Sequence, residues 1–168
     1  MTGGSFALAQ GNMNVSPAMC FTPFLREALD ADVRWHEHFI LNQLGAPDMW
    51  VICPIPFDPD TLNNTIEVEV TGAYQAGAVG SVLCEFNVVD SENQNYGSFL
   101  NVPGNSRYFK AQLSYVGASN LWRASGTTTK AAITTNTGVP NNDDYWAMAV
   151  NCRLPPGFGI TQVRMDEF

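Results

Sequence analysis

The chain has 168 residues, a formal net charge of −8, and a composition that is 45% hydrophobic but only 14% charged, against roughly 25% charged residues in ordinary soluble domains. With no basic cluster it cannot displace phosphate counterions, which excludes nucleic acid as a partner and argues against an anionic membrane surface. No apolar run reaches the about 20 residues of a membrane span, and the opening "MTGGSFALAQGN" has neither the basic nor the long apolar region of a signal peptide.

Residues 1–25 hold no charged side chain and follow neither the helical nor the strand period. Residues 1–21 are therefore expected to form an extended arm that orders against a neighbouring surface. Thr22 is placed to cap a helix and Pro23 suits its first position. Leu25, Ala28 and Leu29 share one face, so a short helix of about two turns is expected. It should end near Asp30 and Asp32, whose charge is unfavourable at a helix C-terminus. "MWVICPI" (49–55) reads as a strand. "PIPFDPD" (54–60), with three prolines, reads as an extended connector. On this reading residues 22–60 are helix and connector, and residues 61–168 are the main domain.

From residue 61 the pattern is β. "TIEVEV" (65–70) alternates, with Ile66, Val68 and Val70 on one face and Glu67 and Glu69 on the other. "SVLCEFNVV" (81–89) and "RYFKAQLSYV" (107–116) alternate too. "TTKAAITT" (128–135) reads as a Thr-rich strand. "DYWAMAVNC" (144–152) is apolar on both faces, as a central strand would be. "GITQVRM" (159–165) loses parity between Ile160 and Val163, which predicts a bulge. Turn-rich clusters separate these runs. The sum is a mainly β protein: an antiparallel, jelly-roll-like β-sandwich with an N-terminal arm and a short N-terminal helix.

The chemistry-bearing residues are sparse. His36 and His38 are the only histidines. They lie in "RWHEHF" (34–39), which reads as one strand with both histidines on the side of Arg34 and with Glu37 opposite. Neither the metal-binding continuation seen in cupins nor an HExxH pattern follows, so no metal and no cofactor is expected. At most a pH-sensitive subunit contact is expected of the pair. Cys20, Cys53, Cys84 and Cys152 form no CxxC and allow three pairings. They are expected to be buried free thiols. "DSENQN" (90–95) offers Asp90, Glu92, Asn93 and Asn95 as oxygen ligands, but reads as a polar turn. No nucleophile motif or phosphate loop is present, so the chain is not expected to be an enzyme.

Aromatic residues remain. Trp122, in the short segment "SNLWRAS" between turns with Arg123 beside it, is the best candidate for stacking on a ligand, and Tyr96 is a further candidate. The acidic ending "GFGITQVRMDEF" and the β texture resemble jelly-roll carbohydrate-binding modules, a resemblance that implies a glycan ligand. The uncharged arm, the scarcity of lysine and the Asn/Thr/Gly-rich sandwich resemble the jelly-roll structural proteins of tailed phages: capsid decoration (cement) proteins and tail adaptors. This second resemblance ranks first. It implies a virion protein assembled in the host cytoplasm, a homo-oligomer (often a trimer) docked on a larger capsid surface. Phe6, Leu8, Trp35, Phe39 and Trp50 would be its contacts. The carbohydrate-binding module is the alternative.

Overall fold

An alternating strand buries only one face, and this chain covers those faces by packing two antiparallel sheets against each other. The computed structural model describes residues 13–22, 33–36, 38–56, 65–90, 108–137 and 146–168. Its strands are β1 (Met13–Val15), β2 (Val33–His36), β3 (Phe39–Asn42), β4 (Met49–Ile55), β5 (Thr65–Tyr74), β6 (Leu83–Asp90), β7 (Tyr108–Gln112), β8 (Ser114–Ala118), β9 (Leu121–Thr129), β10 (Trp146–Leu154) and β11 (Phe158–Glu167). A 3-10 turn spans Pro17–Met19, and one helix, α1, spans Lys130–Thr137. The larger sheet runs β2-β3-β11-β5-β9-β8, with β1 also paired to β11. The smaller runs β4-β10-β6-β7. The fold is a jelly-roll-like antiparallel β-sandwich.

The expected inward residues are inward. Ile66, Val68 and Val70 are buried, as are Cys84, Phe86 and Val88 opposite them. Fully buried Phe86 and Phe158 each contribute about 2–3 kcal/mol of transfer free energy. The parity break in β11 is a register shift between Ile160 and Gln162. Pro54 sits inside β4, which is tolerable because β4 is an edge strand.

Several expectations are corrected. The sandwich is not confined to residues 61–168: among the described residues β1 pairs with β11, Phe21 bridges to Ile52, and β2, β3 and β4 are members of the two sheets. Pieces of three or four residues are too short to show a period, which is why they read as arm and connector. Residues 1–12 and the helix expected after Thr22 lie outside the described residues. "RYFKAQLSYV" is two strands, because at Leu113 the chain leaves the smaller sheet as β7 and enters the larger as β8. Leu113 N–H donates to Cys84 O at 2.9 Å at that corner. Parity survives the crossing, so alternation alone does not reveal it.

"TTKAAITT" is mostly helix. Thr129 Oγ1 accepts from Ala132 N–H at 3.1 Å, an N-cap that turns the end of β9 into α1. Ala131 and Ala132 then favour the helix, and Ile133 is fully buried. In "SNLWRAS", Ser119 and Asn120, both at positive φ, make a tight β8–β9 turn, and the rest belongs to β9.

The cysteines are not free thiols. Cys84 and Cys152 are register partners on β6 and β10, with Cα atoms 4.1 Å apart, and they form a disulfide. Cys20 and Cys53 flank the Phe21–Ile52 bridge and form the other. Such partnerships follow from strand register across 68 and 33 residues, which spacing in sequence does not encode.

Candidate ligand-binding face

The structure separates most of the residues that the sequence grouped. His36 ends β2 and pairs with Phe39, so "RWHEHF" is a hairpin and not one strand. His38 lies in its turn and is exposed. The two histidines therefore do not share a strand face. No cluster of three His, Cys, Asp or Glu side chains suited to a metal ion occurs among the described residues.

Trp122 is a core residue, 3% exposed, with its indole N–H donating to Gly159 O at 3.1 Å. Its ring lies over Gly72, where any Cβ would come within 2.3 Å of it. This corrects its role as a stacking platform: no ring face is open to a ligand. Arg123, next along β9, points to the opposite, outer face, as the period of 2 requires. There it pairs with Glu69 at 2.7 Å and Glu67 at 3.6 Å. Arg164 and Asp166 extend this network on β11. The hydrogen bond and charge of Asp166 hold the Arg164 guanidinium above its ordinary value. The outer face of the larger sheet thus carries ion pairs over β5, β9 and β11.

Of the expected contacts, Phe6, Leu8 and Tyr96 lie outside the described residues, as do Glu92, Asn93 and Asn95. Trp35 is placed on the edge strand β2. Phe39 and Trp50 are both half-buried, Phe39 on the outer face of the larger sheet and Trp50 on that of the smaller. They look out from opposite sides of the sandwich, so one partner surface does not cover both.

The outer face of the smaller sheet has a different character. Strand register builds it in rows. Trp50 (β4), Arg153 (β10) and Leu83 (β6) form the first row. Ile52, Asn151, Glu85 and Gln112 form the second. Pro54, Ala149, Asn87 and Lys110 form the third, in which Asn87 is buried. One margin is apolar, with Phe21 extending it beside Ile52. The β7 margin is polar, with Lys110 paired to Glu85 at 2.5 Å, and at the β4 end Arg153, opposite Trp50, pairs with Asp48. Between the margins, Asn151 Oδ1 is shielded from solvent and has no hydrogen-bond donor among the described residues. Buried polar atoms are normally satisfied, so this acceptor marks the middle of the face.

No family model and no curated protein sequence matches the chain. Among solved structures it is similar to the C-terminal CBM6 of LamC, a marine laminarinase from Zobellia galactanivorans. The identity is 10% and the TM-score 0.47, over 94% of this chain and 100% of that one.

The face continues into a groove of about 440 Å³ at the β7–β8 corner, a volume in the range of small-ligand sites. Leu83 and Gln112 belong to both, and Ser81, Ser114 and Tyr115 complete the groove's polar lining. Burial, with Tyr74 nearby, pushes the Tyr115 phenol up, so near neutrality its hydroxyl both donates and accepts. Sequence reasoning missed this site. The one available signal was the shared parity of Leu83, Glu85 and Asn87 with Lys110 and Gln112. Alternation says which residues are outward, but not which strands lie side by side.

Proposed function

We propose that this chain is a non-catalytic glycan-binding module whose ligand lies across the outer face of the smaller sheet. The observation that carries the reading is the placement of half-buried Trp50 on the apolar margin, one row from the polar side chains of Asn151, Glu85 and Gln112. A sugar ring offers an apolar C–H face and a rim of hydroxyls. A flat indole suits the first, and amides, carboxylates and a phenol read the second. Two disulfides suit an oxidising setting, such as a secreted protein or a virion surface.

The test is a broad glycan array probed with the wild type and with Trp50→Ala. The expected result is binding to at least one glycan, weakened tenfold or more by the substitution. A silent array, or binding that ignores Trp50, removes the proposal.

The virion-docking reading draws support from a separate observation. Val79, Val116, Leu121 and Leu44 are 84%, 64%, 62% and 50% exposed, more apolar surface than a glycan face needs. Burial of such residues in an assembly would be stabilising. A solution mass of one chain at micromolar concentration would count against self-assembly.

A further inference from the structure

The charges on this face are already spent on one another, and that bears on the kind of glycan it accepts. Arg153 and Lys110 are its cations among the described residues, and each is held by an acid of the same chain: Asp48 for Arg153, and Glu85 for Lys110 at 2.5 Å. Glu85 is the more enclosed acid, its side chain 15% exposed. The described residues that line the adjoining groove, Ser81, Leu83, Gln112, Ser114 and Tyr115 among them, include no charged side chain. The chain as a whole carries −8.

We propose that Asp48 and Glu85 are specificity-determining residues that neutralise the face's two cations and restrict it to neutral glycans. The inference rests on the glycan reading above. A uronate or sulfate is recognised through charge-assisted hydrogen bonds from an uncommitted arginine or lysine. Here such a ligand must share or displace an acid's hold on its cation, and in either case it sits as a second anion beside that acid. The acidic chain also repels an anionic polymer at long range. A neutral hydroxyl-rich ligand meets neither obstacle. It can bond to the acids and cations while the pairs stay intact.

The experiment uses one array holding neutral, uronate-containing, sulfated and sialylated glycans. It is probed with the wild type, with Asp48→Asn/Glu85→Gln, and with that double variant carrying Trp50→Ala. The expected result is wild-type binding confined to neutral glycans and a gain of at least tenfold toward uronates or sulfates in the double variant. Adding Trp50→Ala should abolish that gain, which separates binding at this face from general attraction to freed cations. Wild-type binding to anionic glycans at least as strong as to neutral ones overturns the inference and leaves the glycan reading standing. So does a double variant that gains nothing, or a gain that survives loss of Trp50. A wild type silent on every class overturns the glycan reading and this inference with it.

Discussion

Removing the Cys84–Cys152 bridge, by changing both cysteines to alanine, should lower stability by about 4.4 kcal/mol at 25 °C. The figure follows from the 68-residue separation and the loop-closure entropy that a cross-link removes from the unfolded chain. The same relation applied to the 33-residue separation of Cys20–Cys53 gives about 3.7 kcal/mol. The two loops do not overlap in sequence, so the losses should add, to about 8 kcal/mol. That is a large part of the 5–15 kcal/mol that holds a typical domain folded. Either double-alanine variant should therefore melt roughly 10–15 °C below the wild type. Urea unfolding without reductant, followed by tryptophan fluorescence, measures both losses, and thiol labelling of unfolded wild type should find no free cysteine. A loss under about 1 kcal/mol in either variant, or labelled thiols in the wild type, would refute the reasoning.

Other perturbations test the packing. Trp122→Ala should cost about 4 kcal/mol in a urea melt, because it empties a core site and leaves Gly159 O without its indole donor. Binding per folded molecule should not change. Gly72→Ala should cost about 3 kcal/mol, since the added Cβ would stand 2.0 Å from Gly159 O and 2.3 Å from Trp122 Cε2. Thr129→Ala should cost about 1 kcal/mol by uncapping α1; an unchanged melt would show that the cap contributes nothing. Tyr115 has a raised phenol pKa, so the unfolded chain gives up this proton first. Its contribution is complete below the unfolded value of 10.0 and is lost as pH rises through the folded value. Stability should therefore fall less between pH 9 and 11 in Tyr115→Phe than in wild type, and equal falls would contradict the assignment.

Much of the fold was legible because burial on one face imposes period 2. β5, β6 and β10 and the bulge in β11 could be read directly from Ile66–Val70, Val82–Val88 and the Ile160–Val163 break. What stayed hidden depends on long-range register. β1, β2 and β3 are too short to show a period, and Cys20 meets Cys53 only because Phe21 pairs with Ile52. At Thr129 a local cap overrides β propensity. The site was less legible than the fold. Trp122 stood out by its flanking turns, yet its parity with Ala124 places it in the core. Trp50 was singled out, but as a contact for a partner protein. Its neighbours Asn151 and Arg153 lie about a hundred residues further on and join it only through the β4–β10 register.

The most direct test of the account is a titration of the Trp50 indole resonance. A heteronuclear NMR spectrum of the folded wild-type chain would be followed as the strongest neutral glycan from the array is added. The account predicts that the Trp50 and Asn151 side-chain signals shift in a saturable way, together with those of Gln112 and Lys110, while the Trp122 indole and Arg123 stay in place. Shifts confined to Trp122, to Arg123 and its partners Glu67 and Glu69, or to no described residue would contradict it.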